Sequence, residues 1–157
     1  MIGSRCHLQT HHTIMRGYSA IGLSNPKTPA NVGSVLRAAA CYDASFVAFT
    51  GQRYRKAATD TTKAWRHIPL IRAESLKDVI PYGVIPVAVD LVDDAIPLPE
   101  YRHPQQAFYI FGPEDGTLGE PVLSWCPHRV MVPTRHCMNL AATVNVILYD
   151  RLAKAVR

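Results

Sequence analysis

The chain has 157 residues, of which 48% are hydrophobic and 18% charged, with a formal net charge of +5. That balance is ordinary for a soluble globular protein, and the length suits a single domain with a real core. No apolar run approaches the roughly 18 residues that cross a membrane, the first residues lack the apolar centre of a signal peptide, and the four cysteines form no CxxC pair. A cytoplasmic protein is therefore expected, with no membrane partner, no metal site and no disulfide framework.

Residues 1–16 read as a polar tail. His7, His11 and His12 are grouped there, but a disordered or vector-derived extension explains them more simply than a metal, and Met15 is a candidate natural start. Residues 17–157 are expected to form one domain. "YSAIGL" (18–23) reads as a short buried strand. A helix is expected from Asn31, a residue type that caps helices, because Val32, Val35, Leu36, Ala39 and Ala40 fall on one helical stripe. "SFVAFT" (45–50) and "LIRA" (70–73) read as strands, with a helix around "ESLKDVI". Three more apolar, β-rich runs follow: "VIPVAVDL" (84–91), "AFYIFG" (107–112) and "RVMVPT" (129–134). A short helix near "EPVLSW" separates the last two. From Asn139 onward, Leu140, Val144, Ile147, Leu148 and Leu152 make the apolar stripe of a strong closing helix. Alternating strands and helices indicate an α/β domain, with a mainly parallel sheet flanked by helices.

Charge is concentrated. Between Gly51 and His67, Arg53, Arg55, Lys56, Lys63 and Arg66 face only Asp60, which accounts for most of the net charge. Tyr54 and Trp65 lie among them, and aromatics beside cations suit stacked bases next to phosphates. A solvated basic loop has the same composition, so charge alone does not separate the two readings.

Three segments carry candidate chemistry. In "NPKTPANVGSVLRAA" (25–39), Pro26 and Pro29 stiffen the entry to a helix, Gly33 leaves its first turns bare, and Arg37 stands one turn beyond. A guanidinium fork above a bare patch can grip a phosphate; an ordinary surface arginine would look the same. In "FGPEDGTLGE" (111–120), a buried strand ends at Gly112, where a ligand can approach the backbone, and Glu114 can accept hydrogen bonds or balance Arg37. The pattern is neither G-x-G-x-x-G nor a P-loop, which disfavours NAD and ATP. In "VMVPTRHCMNLAATVNVILYD", Asn139 stands at the mouth of the last helix, where a plain helix cap is the simplest role. More specific than any one segment is the repetition of strand, loop and helix start, since ligands of open α/β sheets sit beyond the carboxyl ends of strands.

These segments, in this order, resemble the three motifs of the SpoU (TrmH-like) branch of the SPOUT RNA 2′-O-ribose methyltransferases. "NPKTPANVGSVLRAA" is similar to the first motif, "FGPEDGTLG" to the second and "CMNLAATVNVILYD" to the third. The resemblance covers residues from about 18 to 156. The small size is most similar to the enzymes that methylate the ribose of the tRNA wobble nucleotide. The resemblance implies a deep C-terminal trefoil knot, S-adenosylmethionine bound there, and a homodimer in which the first-motif arginine of one subunit reaches the cofactor site of the other. It implies cofactor contacts at Val89, Asp90, Leu91, Gly112, Val132, Cys137, Met138 and Leu140, and catalytic positions at Arg37, Asn31, Glu114 and Asn139. Cys137 replaces a serine common in relatives, and Ala141 to Thr143 is less polar than in some of them.

RNA is then the expected partner, most simply tRNA, with Arg53, Arg55, Lys56, Lys63 and Arg66 on its phosphates. A guanidinium stays protonated, so Arg37 is expected to hold a phosphate and stabilise a developing alkoxide rather than act as a plain base. An rRNA substrate, a knotted RNA-binding module without catalysis and a base-methylating enzyme are the alternatives. The first-motif residues Asn31, Gly33 and Arg37 disfavour base methylation, and the intact set Arg37, Glu114 and Asn139 disfavours a binding-only module.

Overall fold

The computed structural model describes residues 17–54 and 66–155. The expected tail, 1–16, lies outside the described residues. Along the chain run β1 (Tyr18–Leu23), α1 (Pro29–Cys41), β2 (Val47–Phe49), β3 (Leu70–Arg72), β4 (Ile85–Val89), β5 (Ile96–Pro97), β6 (Gln106–Phe111), α2 (Glu120–Leu123), β7 (His128–Met131) and α3 (Leu140–Ala155). The strands form one sheet in the order β3-β2-β1-β6-β4-β7-β5, and every described pair is parallel. The expected α/β class with a parallel sheet is what the chain adopts.

Strand residues alternate between two cores because successive side chains point to opposite faces. Ile21, Leu23, Val47, Phe49, Val87, Val89, Tyr109 and Phe111 pack on one face with Val35 and Leu36 of α1 and Ile147 and Leu148 of α3. Ala20, Ala48, Ala88, Phe108 and Ile110 pack on the other, with Leu76, Leu118 and Leu123. Both faces are covered, so the strands read as continuous apolar runs rather than alternating ones. Gly22 belongs to this packing: a Cβ there would stand 2.6 Å from the Phe108 ring.

Several local expectations shift. Helix α1 starts at Pro29, with Thr28 at the N-cap making no side-chain cap bond, so Asn31 lies inside the first turn. The proline sets φ for the helix and lacks a donor that would have gone unused, which favours it at that position. Ala38 is buried in place of Ala40, which is exposed. Around "ESLKDVI" only one 3-10 turn forms, Leu76–Val79, capped by Ser75; Pro81 bars a continuation. The two-residue strand β5 is too short to leave a periodic signal.

On α3, Arg151 takes a buried place, at 6% exposure, and Leu152 is only partly buried. The Arg151 guanidinium donates to the Pro104, Gln105 and Tyr18 carbonyls at 2.6, 2.7 and 3.2 Å and to the Tyr109 hydroxyl at 3.1 Å. It thereby locks α3 to the starts of β1 and β6. Beside it, His103 bridges the Tyr109 hydroxyl and the Asp150 carboxylate, at 2.7 and 2.9 Å. Lys154 donates to the Leu98 and Tyr101 carbonyls. The polar cluster stabilises the amino end of the sheet and leaves the carboxyl end for other uses.

Candidate active site

Because the strands are parallel, the loops after β4, β6 and β7 all emerge at the same edge. These three strands are neighbours in the sheet, so their loops enclose one cleft, of about 190 Å³. Val89, Asp90 and Leu91 line it from β4, Gly112 from β6, Val132 from the end of β7, and Cys137, Met138 and Leu140 from the approach to α3. All eight residues singled out for a cofactor thus share one cavity. Sequence reasoning missed Phe111, Thr117, Met131, Thr134 and Thr143 of the same wall. Only the strand order brings them there.

The loops are held by side chains. Asp90 accepts from the Leu91 amide and, across 28 residues, from the Leu118 amide, both at 2.8 Å. Its carboxylate ties the β6 loop to the end of β4. Gly112 serves the same folding-back: a Cβ there would stand 3.2 Å from the Leu118 nitrogen and the Thr117 carbonyl carbon. Backbone thus fills the space toward which a Cβ would point, while Gly112 itself lines the cleft.

Glu114 is the hub of the second loop. It accepts from the Lys27 amide at 2.9 Å, and from the Thr28 amide and the Asn31 side-chain amide at 3.0 Å each. Burial alone would raise its pKa; the bonds from Asn31, from the Lys27 and Thr28 amides and from its own backbone outweigh that and hold the carboxyl below its ordinary value. A carboxylate also suits a helix start, where amides and the helix dipole favour negative charge. The bonds of Glu114 to the Lys27 and Thr28 amides and to the Asn31 side chain anchor the start of α1 to the second loop.

Asn31 in turn accepts from the Asn139 side-chain amide at 3.0 Å, while the Asn139 Oδ1 accepts from the Ala141 and Ala142 amides at 2.9 and 3.3 Å. Asn139 is therefore a helix cap, as expected, and also one end of a relay Glu114–Asn31–Asn139 that joins all three segments. Arg37 stands apart. It is exposed, lines no part of the cleft, and among the described residues has no hydrogen-bond or ion-pair partner. Of the two roles expected of Glu114, it takes that of hydrogen-bond acceptor and makes no contact with Arg37 of its own chain. Nothing within 4 Å would meet a Cβ at Gly33, so the patch one turn before Arg37 is open.

Of the basic segment, Arg55, Lys56 and Lys63 lie outside the described residues. Arg66 is exposed. Arg53 forms a two-pronged pair with Asp115, at 3.0 and 2.8 Å. Asp115 gave no signal in the sequence beyond standing next to Glu114.

Chemically, the cleft combines apolar walls (Val89, Leu91, Phe111, Val132, Leu140) with two carboxylates, Asp90 and Glu114. That donor set suits a flat apolar ring joined to a positively charged group. Among the described residues no cluster of His, Cys, Asp or Glu could hold a metal ion, and no helix is long and apolar enough to cross a membrane.

The family model described as the SpoU rRNA Methylase family matches residues 19–149. No curated protein matches the chain in sequence. Among solved structures, the SpoU methyltransferase AviRb from Streptomyces viridochromogenes superposes with a TM-score of 0.79 at 19% identity, over 88% of this chain and 60% of that one. An AdoMet-bound rRNA methyltransferase from Sinorhizobium meliloti gives 0.76 at 20% identity, over 88% and 57%. A structure concerned with 2-OH methylation of C/U34 on tRNA gives 0.73 at 24% identity, over 90% and 92%. The chain thus spans about 60% of the length of the first two and nearly all of the third.

Proposed function

The chain belongs to the SpoU rRNA methylase family, and on that premise we propose that it transfers a methyl group from S-adenosylmethionine to a ribose 2′-hydroxyl of RNA, with the tRNA wobble nucleotide as the substrate. The observation that carries this reading is that Val89, Asp90, Leu91, Gly112, Val132, Cys137, Met138 and Leu140 line one and the same cleft. The apolar walls fit an adenine ring, and Asp90 and Glu114 fit the cationic half of the cofactor. Bound there, S-adenosylmethionine supplies an electrophilic methyl group on a sulfonium. The near-complete coverage of the C/U34 structure favours tRNA; the AviRb chain and the rRNA methyltransferase from Sinorhizobium meliloti are longer than this one.

The protein's task is to hold a 2′-hydroxyl in line with that methyl group, and positioning of this kind supplies much of the acceleration in two-substrate reactions. Asn31, Glu114 and Asn139 bond to one another and not to Arg37, so their role is to fix the N-termini of α1 and α3 at the cleft. Arg37 has its fork free for an RNA phosphate and for the charge that develops on the 2′-oxygen. Since it does not line the cleft of its own chain, it is assigned to the cleft of a second copy in a homodimer. The outward face of α3, with Ala142, Asn145 and Tyr149 exposed and uncharged, is the assigned contact. The deep trefoil knot is part of the same proposal.

Mass spectrometry of RNA incubated with the protein and methyl-labelled cofactor tests the reading. A label on a ribose of tRNA is expected. A label on a base would replace the ribose reading, a label on rRNA alone would replace the tRNA reading, and no label would leave a binding module.

A further inference from the structure

Two loops that the fold need not bring together are locked side by side at the carboxyl end of β1 and β2. The Asn25 amide donates to the Thr50 hydroxyl at 3.3 Å. Gly51, with φ +85°, lets the second loop pass so close that a Cβ there would stand 2.2 Å from the Asn25 side-chain oxygen. This contact sets Lys27, two residues beyond Asn25, near Arg53, two residues beyond Gly51. Both cations converge on one carboxylate: Arg53 meets Asp115 through two parallel bonds at 3.0 and 2.8 Å, and Lys27 Nζ stands 3.9 Å from it.

Asp115 has no evident structural task. Its loop is already held by the three bonds to Glu114, by the Leu118 amide on Asp90 and by the Gly116 amide on the Pro113 carbonyl. The side chains remain open to solvent, at 61% for Lys27, 32% for Arg53 and 50% for Asp115, so a polymer can reach them. An arginine fork presents the same two donors to a carboxylate and to a phosphate, and a nearby lysine adds a point charge suited to either.

We propose that Lys27 and Arg53 form a phosphodiester-binding site for the RNA backbone, and that Asp115 occupies it in the free protein as an internal stand-in for the phosphate. This rests on the RNA-methyltransferase reading above. Asp115 keeps the fork aimed and extended before RNA arrives, and the incoming phosphate displaces it. The carboxylate thus lowers RNA affinity while it keeps the site in shape, and its removal leaves the two cations unopposed.

The test is the affinity of the full-length protein for fluorescently labelled total tRNA at moderate salt. Asp115→Asn is expected to bind about three- to fivefold more tightly than wild type, the upper range for an exposed ion pair, with the gain shrinking as salt rises. In a Lys27→Ala/Arg53→Ala background the same substitution is expected to give no gain. The midpoint of thermal unfolding, expected to stay unchanged, shows that the fold is intact. Weaker or unchanged binding by Asp115→Asn overturns the proposal, because Asp115 would then support the site or do nothing. A gain that persists without the two cations also overturns it, as a general charge effect. If Lys27→Ala/Arg53→Ala binds tRNA like the wild type, the site is wrong while methyl transfer still stands. If the wild type methylates no RNA, the functional reading fails on its own.

Discussion

Asn139 donates its side-chain amide to the Asn31 side-chain oxygen at 3.0 Å, although 108 residues separate them in the chain. The orientation is forced. The Asn31 nitrogen must face Glu114, since an ionised carboxylate only accepts, which leaves the Asn31 oxygen for Asn139. Asn31→Asp places a second carboxylate against Glu114 and removes the donor. We expect a loss of about 1–3 kcal/mol at pH 7, the usual cost of a broken, partly buried hydrogen bond, read by urea unfolding. Glu114 is held below its ordinary value of 4.5, so in the wild type its contribution is full above that value and is lost as the pH falls through the lower, folded one. In the variant, protonating one carboxylate relieves the repulsion, so its deficit should narrow on acidification. A deficit that does not change with pH would mean the repulsion is absent.

His103 gives a second pH signature. Burial opposes its charged form most strongly; the hydrogen bond and charge of Asp150 work against this, while Arg151 and Lys154 add to it, and the folded-state value lies below 6.5. The neutral Tyr101 and Tyr109 rings complete its surroundings. As pH falls, the unfolded chain takes up the proton first, so stability is full above 6.5 and declines below it. His103→Gln should flatten the stability profile between pH 7 and 5. Equal slopes for the two proteins would show that His103 titrates alike in both states.

Arg37→Ala is expected to lower methyl transfer at least about a hundredfold, about 2.7 kcal/mol, the lower range for losing one pre-organised donor. Cofactor affinity measured by calorimetry without RNA should change less than about threefold, because Arg37 does not line the cleft of its own chain. Arg37→Lys should rescue little, since a point charge does not reproduce the planar fork. Near-normal turnover of Arg37→Ala would make it an ordinary surface residue.

Tyr149 stands 61% exposed on α3. In the proposed dimer it is covered, so Tyr149→Asp should sediment as a monomer at micromolar concentration. Methyl transfer should fall at least about tenfold, about 1.4 kcal/mol, as the partner's arginine is withdrawn, while calorimetry still finds the cofactor site. A fully active monomer would rule out the shared site.

The sequence by itself determined the α/β class, most strand and helix positions within a few residues, and eight residues that share the cleft. Continuous apolar strands, a helical stripe on α3 and three loops before helix starts are local signals, written in consecutive residues. Resemblance to the SpoU branch then tied those loops to one another. What only the tertiary structure decided is who touches whom. Glu114, expected to accept hydrogen bonds or to balance Arg37, accepts them at the start of α1, because parallel pairing of β1 with β6 brings the two loops to one edge. Asn31 looked like a cap and is a link in a relay, because Pro29 starts the helix earlier. Arg53 looked like a free cation and meets Asp115, and Arg151, unmarked by any pattern, is buried on α3 and locks the amino end of the sheet. Each depends on groups 42 to 133 residues apart, and hydrogen-bond partners at that separation leave no periodic trace in a chain.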